Sequence, residues 1–200
     1  MDLKANAPGL RMQSQSNRRR SLTWSGYAVF IWSVAYMLPH LYWAMGGKLG
    51  LSILKPGISE SPQWEMINWV ASVFLTAVGL LGITLIYLRK RKLLSWSLLA
   101  VLLAGCSVAT SHGIYGIGYR ILQITGVIGI ELESFNAKQH VFVLWDLFIF
   151  EPWFLIEGIL LGILGWCFMN NPRHRRIWLT LCTIGVLFGL ITGLLGVRFA

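Results

Sequence analysis

Long apolar stretches alternate with short polar or basic breaks along the chain, and the lengths of those stretches say what they are. Residues 24–45, 64–88, 93–115, 141–169 and 177–197 are each long enough to cross roughly 30 Å of hydrocarbon as a helix. Residues 1–20 are polar, rich in Ser, Gln, Asn and Arg, and without periodicity, which predicts a disordered basic tail. Gly46 and Gly47 end the first stretch, and Pro56, Gly57 and Pro62 mark a loop before the second. Residues 116–139 fit least well, being fairly apolar but short and interrupted by Arg120 and Gln123. We place them outside as an interfacial or re-entrant segment, since a sixth crossing there would invert the charge pattern that follows.

Basic residues cluster at Arg18, Arg19 and Arg20, at residues 89–92, and at Arg173, Arg175 and Arg176. One topology puts all three clusters on the cytoplasmic side, with the N-terminus inside and the C-terminus outside. The expected fold is therefore all-α, a bundle of five transmembrane helices over residues 21–200. The first stretch is too long, and too rich in Trp and Tyr, for a cleavable signal, so it reads as an anchor that stays. Composition agrees: 56% hydrophobic residues, 12% charged residues and a mean hydropathy of +0.63 are more than a 200-residue soluble core could bury. The net charge of +9 lies mostly in the three clusters, where anionic headgroups account for it. No folded basic face with base-reading side chains is visible, so nucleic acid is not an expected partner; the lipid bilayer is. Cys106, Cys167 and Cys182 form no C-x-x-C pair and read as packing residues. Gly185, Gly189 and Gly193 form a small-residue stripe suited to a homodimer or to packing within the chain against the Gly158 and Gly162 helix.

The candidate chemistry is the acid inside hydrocarbon. Asp146, Glu151 and Glu157 share one apolar stretch, and each costs about 2.5–3.5 kcal/mol at mid-bilayer on insertion scales. On an unbroken helix Asp146 and Glu157 share a face while Glu151 points about 140° away. Pro152 either kinks that helix or starts it, leaving residues 141–151 as an interfacial helix. In the first stretch Trp32, Tyr36, His40 and Trp43 fall on one helical face beside Pro39. With His112 and His140 these residues form a candidate outer-half pocket: Tyr36, His40, Trp43, His112, His140, Asp146, Glu151 and Glu157. Three histidines and a carboxylate suit a transition metal, but no two stand at close ligand spacing, so no metal is expected. A haem between His40 and His112 has only the two imidazoles in its favour.

Residues 39–47 (Pro-His-Leu-Tyr-Trp-Ala-Met-Gly-Gly), Trp145-Asp146 and Glu151-Pro152-Trp153-Phe154 resemble motifs of a family of small bacterial multi-pass membrane proteins. That domain-of-unknown-function family carries a Tyr-Trp-Ala-x-Gly-Gly segment. The resemblance implies the bacterial cytoplasmic membrane and implies no activity or cofactor. Two functions are expected from the residues: a protein that binds a small molecule, lipid or partner in the outer-half pocket, or a membrane-embedded acid–base enzyme on a lipid-like substrate. A transporter component ranks third, because no internal repeat is evident. A carboxylate within reach of a histidine at a lipid-sized cavity favours the enzyme. Glu151 paired with Arg120 favours a structural role.

Overall fold

Backbone in hydrocarbon must satisfy its own hydrogen bonds, and the apolar runs do so as helices. The computed structural model describes residues 8–55, 57–87, 92–128 and 137–196, and among these there is no strand. Helix α1 covers Pro8–Ala44, α2 Trp64–Tyr87, α3 Lys92–Ile124, α4 Ala137–Trp145, α5 Glu151–Phe168 and α6 Pro172–Leu194. Among the described residues four helical stretches are long and apolar enough to cross a membrane: Trp64–Tyr87, Trp96–Ile124, Ala137–Phe168 and Pro172–Leu194. Helix α1 has the length as well, but Trp, Tyr, Pro39 and His40 dilute its apolar character.

Three boundaries differ from those read in the sequence. Helix α1 starts at Pro8, inside the stretch expected to be a tail. Proline suits a first helical turn, and Ser21 and Thr23 bond back to the carbonyls of Asn17 and Arg19. Helix α3 runs on to Ile124, so residues 116–124 continue the span instead of turning into an interfacial segment. Nothing between Tyr115 and Ile124 breaks a helix, and the charge of Arg120 is met by Asp146. Helices α4 and α5 join through one wide π turn, Asp146–Phe150, in which the Glu151 N–H donates to the Asp146 carbonyl. Pro152 neither starts a separate membrane helix nor breaks the rod, because the wide turn absorbs its missing donor. The basic residues Arg89, Lys90 and Arg91, and the loop acids Glu131 and Glu133, lie outside the described residues.

Helix α3 is the hub. Its small residues face glycines on both neighbours: a Cβ on Gly158 or Gly162 of α5 would meet Thr110 or Cys106, and one on Gly185, Gly189 or Gly193 of α6 would meet Ser107, Ser111 or Tyr115. The α6 stripe advances along α3 in steps of four on both helices, so the two run parallel. It is covered within the chain by α3, and not by the Gly158 and Gly162 helix as one sequence reading had it. Lipid gives apolar side chains no drive to associate, and close backbone approach supplies the contact instead. Helices α1 and α2 pair antiparallel by the same device, with the Cβ position of Gly26 2.7 Å from the Gly82 carbonyl. The buried apolar core, including Leu22, Leu85, Leu102, Leu164 and Trp178, gathers at the end where α1, α3 and α6 begin. Phe74, Leu80, Ile184 and Phe188 stay exposed on the outer faces, consistent with association with a bilayer.

Gly82→Ala should lower stability by about 1–3 kcal/mol, because the added methyl meets backbone that cannot move alone. Gly118→Ala, where nothing lies within 4 Å of the added Cβ, should leave stability unchanged or raised. Thermal unfolding in detergent distinguishes the two.

Candidate functional site

The π turn sets the geometry of the acids. An unbroken α-helix would turn Glu151 about 140° from Asp146. The wider turn has fewer degrees per residue and brings both onto the side facing α3. There they meet His112, Gly116 and Arg120, one residue per turn along α3. Arg120 Nε donates to Asp146 Oδ2, and its Nη1 donates to Gln123 Oε1 at 2.6 Å. The guanidinium also lies over the Phe142 ring, 4.8 Å from its centroid. Asp146 is thus neutralised and held.

Glu151 is held differently. The residue is 8% exposed, and His112 Nε2 stands 3.7 Å from Oε2, beyond hydrogen-bond length. Oε2 has no hydrogen-bond partner. The carboxyl rests directly on Gly116, where any Cβ would collide with it, and at Gly113 the two backbones touch. Glu157, one and a half turns deeper, accepts from Ser33 Oγ at 2.7 Å, while its Oε2 is likewise buried without a partner. The Trp153 indole N–H is a further buried polar group without one among the described residues.

Aromatic rings from α1 and α5 wall this space. Trp153 stacks on Trp32 with centroids 4.2 Å apart and on Tyr36 at 5.2 Å, and Trp32 Nε1 donates to the Trp153 carbonyl. A line of contacts then crosses the helices. His40 meets Tyr36 edge-on, Tyr36 meets Phe154, and Phe154 meets His112, which faces Glu151. At its far end His40 Nδ1 donates to Asn68 Oδ1 at 2.9 Å. The Asn68 amide donates to the Trp64 carbonyl, which fixes its oxygen toward the imidazole, so Nδ1 carries the proton.

The structure therefore brings Tyr36, His112, Glu151 and Trp153 together. It separates His40 into a polar pair with α2, and Trp43 into a ring contact with Trp64 and a bond to the Leu49 carbonyl. His140 is exposed at the start of α4. Asp146 takes Arg120, the residue whose pairing with Glu151 would have favoured a structural role. Tyr36 and Phe154 occupy the space between His40 and His112, where a haem would need to fit. Among the described residues no three His, Cys, Asp or Glu side chains converge on a metal-sized site. The sequence reading passed over Asn68, Ser33 and Gly116. Trp64, Asn68 and Ser72, four apart in an apolar run, were the available signal for the first of these.

A family model described as a protein of unknown function (DUF3995) matches residues 16–161, a segment that includes every residue of this cluster. No curated protein and no solved structure matches the chain.

Asp146→Asn and Arg120→Met should each cost about 3–5 kcal/mol, because each strands one buried partner. Arg120→Met combined with Asp146→Leu should recover most of that loss. Denaturant titration of the three variants measures it.

Proposed function

The chain belongs to the DUF3995 family of proteins of unknown function, and on that premise we propose that it is a five-span membrane protein binding a hydrogen-bond-donating small molecule or lipid headgroup at Glu151. In this reading α1 is the fifth crossing, the N-terminus is cytoplasmic and the C-terminus is outside. The antiparallel pairing of α1 with α2, and the parallel course of α3 and α6, support this by starting α1, α3 and α6 at one end. The positive-inside bias makes that end cytoplasmic, which puts Glu151 in the outer half. The likeness of residues 39–47, 145–146 and 151–154 to bacterial multi-pass proteins supports the bacterial cytoplasmic membrane.

One observation carries the binding role: Glu151 Oε2 is buried and unpartnered, with the His112 imidazole 3.7 Å away. A carboxyl left so costs free energy unless another molecule completes its hydrogen bonds. An aromatic wall of Tyr36, Trp153 and Phe154 favours a ligand that brings a donor or a positive charge, because ring faces are electron-rich. Asp146 engages the neighbouring Arg120, so that guanidinium does not saturate Glu151. The second reading, an acid–base enzyme, rests on the same His112–Glu151 approach. It asks that a substrate bridge the two groups, which stand 3.7 Å apart.

Native mass spectrometry of the purified protein, with lipid, small-molecule and metal analysis, tests this. Glu151→Gln should lose the co-purifying ligand at least tenfold, while His40→Ala, which loosens the α1–α2 pair, should lower the melting temperature with ligand retained. Unchanged ligand content and unchanged melting in both variants contradict the site. Conversion of an added lipid pool that stops in His112→Gln favours the enzyme.

A further inference from the structure

At the end of the bundle away from Glu151, α3, α5 and α6 part around a cavity of about 780 Å³. That volume is in the range of ligand pockets, roughly 300–1,000 Å³. Its walls are apolar, with Trp96 and Leu103 from α3, Phe168 from α5, and Ile177 and Leu181 from α6. Polar groups appear only at one edge, where Asn170, Asn171 and His174 form the mouth. No acidic residue lines it among the described residues.

The charge at that mouth is of one sign. Arg173 is exposed and stands four and eight residues before Ile177 and Leu181, on the same stripe of α6. Lys92 opens α3 one turn before Trp96. Arg175 points elsewhere: its Nε donates to the Met169 carbonyl, and its guanidinium lies over Trp166. His174 therefore lines the opening with the exposed Arg173 next to it in sequence, beside a groove whose walls are mostly apolar. The groove is open on one side, with Trp96, Ile177 and Leu181 exposed, so an apolar guest lying in it gains the dispersion contacts these side chains do not make within the chain.

We propose that this cavity holds one acyl chain of an anionic phospholipid, with the phosphate seated at the mouth on Arg173 and His174. A zwitterionic lipid brings the same chain but adds a cation where the protein already has one, so the site discriminates by headgroup charge. Helix register, chamber and charge all belong to α3, α5 and α6. The site is separate from Glu151, and Glu151→Gln should leave it intact.

The test uses the full chain in neutral detergent, titrated with phosphatidylglycerol or with phosphatidylcholine of matched chains and read by native mass spectrometry. Wild type should retain phosphatidylglycerol at least tenfold better. Ala100→Trp, which fills the chamber from α3, should lose that retention tenfold. Arg173→Gln with His174→Gln should bind both lipids equally. Leu103→Trp serves as a second filling variant should Ala100→Trp lose its helical signal or aggregate. Equal retention of the two lipids by wild type overturns the headgroup assignment. Retention untouched by either well-folded filling variant overturns the chamber. Binding of glycerol phosphate alone at matching affinity shows a headgroup site without a chain, which also contradicts the proposal.

Discussion

The close approach of α3 to α5 is the contact on which the rest of the structure depends. At Gly113 the backbones touch, and at Gly116 the space a side chain would fill is taken by the Glu151 carboxyl. In water such a contact would be reinforced by expelling solvent from apolar surface. In lipid it rests on packing and on the few polar groups that can meet. Small residues on α3 therefore face α5 and α6 at once, and the acids of α5 are buried because α3 is near enough to bury them.

From that contact follows a bundle with two unlike ends. Toward the starts of α1, α3 and α6 the interior is leucine, tryptophan and an apolar chamber. Toward the other end it is rings, imidazoles and carboxyls. Along the π turn and α5 the three acids are met to different degrees. Asp146 is paired with Arg120, Glu157 has Ser33 on one oxygen, and Glu151 has only an imidazole beyond bonding distance. The fully paired acid holds α3 to the π turn. The least satisfied one has a bond to offer, which is why the functional proposal falls on Glu151.

The apolar runs made the helices legible, since length and punctuation at Gly46, Gly47 and Gly57 follow from local chemistry. The acids of α5 were legible as the residues to ask about, because charge in hydrocarbon is costly wherever it sits. Their partners were not. His112, Gly116 and Arg120 stand four apart, a plain helical stripe, but it appears only when α3 is continued past Tyr115. The charge of Arg120 argued against that continuation until Asp146 was seen to cancel it. Pairing across helices depends on which faces meet, and a single π turn at Asp146–Phe150 was enough to rotate Glu151 onto the α3 side. Pro152 signalled a disturbance there without telling a wide turn from a kink or a helix start.

The most direct measurement is a double-mutant cycle on unfolding free energy between Gly116→Ala and Glu151→Ala. If the carboxyl rests on Gly116, the methyl of Gly116→Ala is costly with Glu151 present and tolerated once Glu151 is truncated, giving a coupling of about 0.5–3 kcal/mol. Additive effects of the two substitutions would mean that Glu151 points elsewhere, and the site built around it would be wrong.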